Sequence, residues 1–327
     1  MYVDDILLIS SSTQLVSSVK QSLKDAFDVR DLGNATTFLG INIMRERANR
    51  AIQLIQQRLI GDTISKFGLS DAKPAAVPMS SAVKLSKEEG APLDKQAFPH
   101  GQLVGTLNYL SVCTRPDIAF AVGALSRYLH SPTTVHGQAA RTVGRYLKGT
   151  ADFGISFGSD SSSSASISSS LKLEGYCDSD YAGDLDTRRS TTGYVFTLNG
   201  GPVSWQSKRQ QTVAVSTAEA EYMAAAAAVK EALWLSKLMA DLGYPQMPVP
   251  IFGDNQAALK LLRNPISSLR SKHIDVVHHF ARERVMRGEV QFSYISTADQ
   301  LADFLTKAVP PAKHIMCCNG LNIGKVI

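Results

Sequence analysis

Apolar residues recur at helical spacing along some stretches of the chain and alternate along others, and these two periods divide it into elements. Leu15, Val19, Leu23 and Phe27 stand four apart within Gln14–Phe27, one face of an amphipathic helix. ILLI at residues 6–9 reads as a strand, and FLGINIM, after Gly33, belongs to a β-hairpin region. A helix is expected around Leu54–Phe67, stopped by Gly68. Residues 71–98 hold several prolines and few periodic apolar positions, so they form a connecting stretch. Two helices follow. Pro116 suits the first position of one carrying IAFAVGALSRYL, and the second begins near Thr134 and ends at Gly149. GSDSSSSASISSS, residues 158–170, is low-complexity and too poor in apolar surface to order itself, so it reads as a flexible boundary.

Beyond that boundary the order is regular. EGYCDSDYAG is a strand running into a turn, and TTGYVFTLNG and GPVSWQSK alternate and join through Asn199-Gly200-Gly201, a hairpin signal. STAEAEYMAAAAAVKEALWLSKLMADLG is a long helix ending at Gly243, VPIFGDN a strand, and Ala257–Leu262 a helix. HIDVVHHFARERVMRG is helical, VQFSYIS a strand, and QLADFLTKAV a last helix stopped by Pro310. Three strands, helix, strand, helices, strand, helix predict an α/β layered domain with a mixed sheet.

The totals narrow the class. A chain of 327 residues accommodates two or three domains, and 44% hydrophobic with 19% charged residues excludes a disordered or fibrous one. The formal charge of +5 permits a polyanionic partner without requiring one. Cys113, Cys177, Cys317 and Cys318 form no CxxC pair, so a reducing compartment and no disulfides are expected. His314 and Cys317 have no second pair to complete a zinc site. No signal-peptide pattern is visible, so the chain is not expected to be secreted. The longest apolar run, Met223–Val229, is mostly alanine and is cut by Lys230 and Glu231, so no membrane span is expected.

Four carboxylates stand where α/β sheets collect functional groups: Asp178 and Asp254 at strand ends, Glu221 and Asp303 in the first turns of helices. Acids converging without basic partners repel one another unless cations neutralise them, and hard divalent ions such as Mg²⁺ suit oxygen ligands. Taken singly, Asp254 before Asn255 is equally a cap, and Asp303 equally a helix-dipole partner. The long helix offers two glutamates. Ser216 and Glu219 form a capping box, which gives Glu219 a structural role. Glu221 instead shares a face with Ala224, Ala225, Ala228, Ala232 and Leu235, small residues that let the helix approach a sheet. On the Thr134–Gly149 helix, Gln138, Arg141, Arg145 and Lys148 fall on one side, a stripe equally suited to phosphates or to solvent.

YCDSDYAGDLDTRRSTTGYVF, SWQSKRQQTVAVSTAEAEYMA, FGDNQAALKL, SKHIDVVHHFARE and QLADFLTK, in this order, resemble the ribonuclease H domain of copia-type LTR retrotransposon polyproteins. YVDD resembles the reverse transcriptase active-site turn, DLGNATTFLGINI the segment after it, and VGTLNYLSVCTRPDIAFAV with RYLKGT the connecting helices. The resemblance implies residues 1–80 as a truncated reverse transcriptase palm remnant, 81–157 as thumb or connection helices and 158–172 as a Ser-rich linker. Residues 173–310 would be a ribonuclease H domain, a mixed five-stranded sheet with flanking helices, and 311–327 a C-terminal tail. It places metal-binding acids at Asp178, Glu221, Asp254 and Asp303, holding two Mg²⁺ or Mn²⁺ ions that drive in-line attack on the RNA strand of an RNA–DNA hybrid. Discrimination would come from 2′-hydroxyls and backbone shape, with Lys208, Arg209, Arg270 and Lys272 touching phosphates. Other retrotransposon Pol segments are expected partners, and cytoplasmic particles or the nucleus the compartment.

Two departures from the family pattern stand out. YISTADQLAD lacks the mobile histidine that many such nucleases carry before the last acid, and His273 comes too early in the order to replace it. Asp4 and Asp5 read as relics of a polymerase site whose other half is missing, so the polypeptide alone is not expected to polymerise DNA. The rival readings are a catalytically dead remnant that at most binds nucleic acid, and an integrase-like nuclease, which the connecting segments argue against.

Overall fold

The computed structural model describes residues 5–158, 171–263 and 275–325. Asp4, residues 159–170 of the linker expected over 158–172, Arg270, Lys272 and His273 lie outside the described residues. The architecture is mixed α/β with two five-stranded sheets.

The first sheet is antiparallel. Its strands are β1 (Thr37–Phe38), β2 (Ile41–Glu46), β3 (Ala51–Ile55), β4 (Phe153–Phe157) and β10 (Ile323–Lys325), in the order β1-β2-β3-β4-β10. Helix α1 (Thr13–Ala26) forms with Ser12 as N-cap, but ILLI is not a strand. Apolar residues alone do not make a strand without a ladder partner, and none of the described strands pairs with residues 5–10; Ile9 is 84% exposed. The helix expected from Leu54 starts later. AIQLI pairs across a hairpin with β2, so α2 is confined to Gln57–Lys66, and Gly68 at φ +65 closes it.

Helix α3 (His100–Cys113) was indicated by the family resemblance but not by the periodicity reading, although Leu103, Leu107 and Leu110 give it a fully buried helical face. Pro116 opens a single 3₁₀ turn leading into α4 (Ala119–Ser126), and α5 (Thr134–Gly149) has Thr133 as its N-cap. These helices share a core with Ile60 of α2. A buried ion pair braces them. Arg115 Nη2 lies 2.7 Å from Asp117 Oδ2, both side chains are fully buried, and Arg115 also donates to the Thr150 carbonyl and hydroxyl. Tyr146 donates to Asp117 Oδ2 at 2.8 Å.

The second sheet contains β5 (Leu173–Ser179), β6 (Thr191–Leu198), β7 (Gly201–Arg209), β8 (Val249–Gly253) and β9 (Val290–Tyr294), in the order β7-β6-β5-β8-β9. β5, β6 and β7 are antiparallel, while β5, β8 and β9 run parallel. The hairpin turns at Asn199 and Gly200, both at positive φ, as its sequence demands. Helix α6 (Thr217–Asp241) lays its alanines on this sheet, with Ala224, Ala228 and Ala232 fully buried, and α7 (Gln256–Arg263) and α8 (Asp275–Met286) complete the layer.

Two expectations near the C-terminus are corrected. QLADFLTKAV is no helix beyond one 3₁₀ turn, Asp303–Leu305. Leu301, Ala302, Phe304 and Leu305 are buried on successive sides, and Gln300 donates to the Cys177 carbonyl, so the segment is drawn down onto β5. The expected tail is instead α9 (Pro311–Gly320) followed by β10, with Leu321 and Ile323 buried. Val195, Leu305, Cys317, Leu321 and Ile323 belong to one core at the junction of the two sheets. His314 is buried, and its Nε2 contacts the Asp117 carbonyl at 3.2 Å. All four cysteines are free. Among the described residues no helix is long and apolar enough to cross a membrane.

A candidate carboxylate metal centre

Three of the four expected acids meet. Asp178 near the end of β5, Glu221 in the second turn of α6 and Asp254 just beyond β8 each place a carboxylate oxygen within 4.8 Å of the others. Parallel pairing of β5 with β8 brings the two aspartates to the same sheet edge. The close fit of the alanine face of α6 carries Glu221 in above them, and Glu221 Oε1 accepts from the Ser179 N–H at 3.3 Å.

Local chemistry explains why these acids and not their neighbours meet here. Ser216 Oγ accepts from the Glu219 N–H, and Glu219 Oε2 accepts from the Val215 N–H at 2.8 Å, so Glu219 is consumed in the helix cap. Asn255 Oδ1 accepts from the Ala258 N–H and caps α7, which leaves Asp254 free to face the cluster. Thr297 Oγ1 holds Asp254 Oδ2 at 2.7 Å.

Asp303, the fourth expected acid, is buried beside this trio but does not join it. Two lysines hold its carboxylate: Lys307 Nζ is 2.7 Å from Oδ1 and Lys313 Nζ 3.3 Å from Oδ2. Lys307 also reaches Asp178 Oδ2, at 3.8 Å, and Thr306 Oγ1 donates to that same oxygen at 2.5 Å. The lysine and the threonine are the residues that sequence reasoning missed. The signal lay in LTK, three and four positions beyond Asp303, but only the 3₁₀ turn directs both side chains at Asp178. Gly193 makes the approach feasible. It sits opposite Asp178 in the β5–β6 register, and a Cβ there would lie 2.6 Å from Thr306 Cγ2 and 2.9 Å from Leu305 Cβ.

The electrostatics suit a cation. Burial pushes the Asp178 carboxyl up to about 7, with Lys307 pulling the other way and Asp303 adding to the rise. Glu221 is pushed up to about 9, by burial first and then by the charges of Asp178 and Asp254. Burial acts against the Lys307 charge, but Asp178 and Asp303 outweigh it and hold its pKa above the usual lysine value. An oxygen-only set of carboxylates this poorly neutralised fits a hard divalent ion such as Mg²⁺ or Mn²⁺.

The expected phosphate contacts are placed unequally. Lys208 is exposed near the end of β7, whereas Arg209 pairs with the buried Asp184 at 3.1 Å. The α5 stripe faces the connecting stretch: Arg141 stacks over Phe98, Arg145 donates to the Lys73 carbonyl, and Lys148 donates to the Ser70 and Ala72 carbonyls. Asp5 is exposed.

A family model for reverse transcriptase (RNA-dependent DNA polymerase) matches residues 1–81. The chain is 41% identical, over 97% of its length, to a retrovirus-related Pol polyprotein from transposon TNT 1-94 of Nicotiana tabacum, and spans 24% of that polyprotein. It is 34% identical to a putative transposon Ty5-1 protein of Saccharomyces cerevisiae, over 71% of this chain and 72% of that one. Among solved structures, a ribonuclease H1 isolated from compost overlays 41% of this chain and 92% of its own at 18% identity and a TM-score of 0.33, too slight an overlap to speak to activity.

Proposed function

Since the chain belongs to the retrovirus-related Pol polyproteins of copia-type transposons, we propose that its second sheet carries a divalent-metal-dependent ribonuclease that cuts the RNA strand of RNA–DNA hybrids. The convergence of Asp178, Glu221 and Asp254 from three separate elements supports this reading most. These three residues would bind Mg²⁺ or Mn²⁺, with Asp303 buried beside them and paired with Lys307 and Lys313. Bound ions supply Lewis acidity, lowering the pKa of an attacking water and stabilising the leaving oxygen. The chain's own residues set the geometry: Thr306 orients Asp178, the Ser179 N–H orients Glu221, and Thr297 orients Asp254. Each bond keeps a lone pair aimed and reduces the reorganisation that metal binding would otherwise demand.

Lys208 is the phosphate contact best placed among the described residues, because Arg141, Arg145, Lys148 and Arg209 are already engaged within the fold. Hybrid recognition would follow backbone shape and 2′-hydroxyls. One observation favours the rival reading of a non-catalytic remnant: Lys307 already pairs with two of the four acids. A single assay separates the two. The purified chain, given a labelled RNA–DNA hybrid and Mg²⁺ or Mn²⁺, should cleave only the RNA strand, and Asp254→Asn should lower the rate by about 100-fold or more. No cleavage by the intact chain leaves the remnant reading standing, and cleavage that survives Asp254→Asn moves the site elsewhere.

A further inference from the structure

We propose that Lys307 is a built-in competitor of divalent ions, an ammonium group placed between Asp178 and Asp303 that an incoming ion must displace. The inference rests on reading the carboxylate trio as a divalent-ion site.

Two lysines serve Asp303, and they are not equivalent. Lys313 is anchored: besides Asp303 Oδ2 it donates to the carbonyls of Thr297 at 2.8 Å and Ala298 at 2.7 Å, and its side chain is only 17% exposed. Lys307 is 43% exposed and, among the described residues, pairs only with carboxylates, Asp303 at 2.7 Å and Asp178 at 3.8 Å. Lys313 therefore belongs to the framework, while Lys307 can leave Asp178 without breaking any other polar contact.

Its route is also set. Lys307 follows Asp303 by four residues, and its N–H bonds the Asp303 carbonyl at 3.2 Å. An ammonium released from Asp178 keeps its 2.7 Å ion pair with Asp303 Oδ1. Charge favours the exchange. One unit charge offsets the acids only in part, whereas a divalent ion neutralises two carboxylates and takes more oxygen ligands. Lys307 would therefore keep the acids tolerable to the fold while weakening ion affinity, so loading depends on ion concentration.

The test measures binding, not turnover. By calorimetry with MnCl₂ or MgCl₂, Lys307→Met should bind the ion about tenfold or more tightly than wild type, because a positive charge at the site is gone. Lys307→Arg keeps the charge and should bind no more tightly than wild type. In wild-type protein, acetylation of Lys307 followed by mass spectrometry should speed up several-fold on saturation with Mn²⁺, while Lys313 stays unchanged. The acetylation measurement holds even if Lys307→Met fails to fold. Equal affinities for wild type and Lys307→Met, or unaltered Lys307 reactivity, overturn the competitor role and leave the metal site intact. Absence of ion binding in every variant overturns the metal reading itself, and the competitor role with it.

Discussion

The Thr306 hydroxyl donates a 2.5 Å hydrogen bond to Asp178 Oδ2 across 128 residues of sequence, tying the turn after β9 to the first strand of the second sheet. Both residues are buried, and the hydroxyl also bonds the Asp303 carbonyl. Thr306→Val keeps the shape and removes the donor. It should destabilise the protein by about 1–3 kcal/mol in urea denaturation, the usual cost of stranding a buried acceptor. Thr306→Ser should recover most of that loss. Equal stability of the valine and wild-type proteins would mean the bond contributes nothing.

The pH dependence has a definite sign. Asp178 and Glu221 titrate near the ordinary carboxylate values of 3.8 and 4.5 when unfolded, but burial lifts them to about 7 and about 9 in the fold. The folded protein thus retains protons that the unfolded chain releases. Their stabilising contribution is complete below the unfolded values and is lost as pH rises through about 7 and then about 9. With chelator present, thermal melts should fall steadily over that window. Saturating Mg²⁺ should flatten the fall, because the ion takes over from the protons. A chelated protein that grows more stable on alkalinisation would contradict the burial of these acids.

Arg115 and Asp117 carry no exposed side-chain surface and are 2.7 Å apart. Removing one partner leaves the other charged and alone. Arg115→Met should therefore cost about 3–5 kcal/mol, read as a lower denaturant midpoint. The double variant Arg115→Met/Asp117→Leu should regain part of the loss. A midpoint unchanged in Arg115→Met would show that the pair is not buried as described.

The second sheet was legible in the sequence because its strands alternate, its hairpin carries Asn-Gly, and its long helix announces both cap and stop. The choice of Glu221 over Glu219 was legible for the same reason, since a capping box is a local signal. What sequence missed depends on partners distant along the chain. ILLI has strand composition but no ladder neighbour, and AIQLI shows itself as a strand only when paired with β2. QLADFLTKAV has helical residues, yet burial on successive sides and the Gln300 bond to β5 hold it to a single 3₁₀ turn. The lysine partners of Asp303 were missed for the same reason: one is aimed by that turn, the other comes from the start of α9.

The antiparallel pairing of β10 with β4 means that the polypeptide leaves the first sheet and later comes home to the adjacent lane of it. The unit built on the second sheet is therefore spliced into its neighbour as a closed detour, with His314 resting against the Asp117 carbonyl as a second clasp. Severing the backbone between residues 158 and 171 would yield two pieces that still migrate together, because fastening across the seam is noncovalent and bilateral.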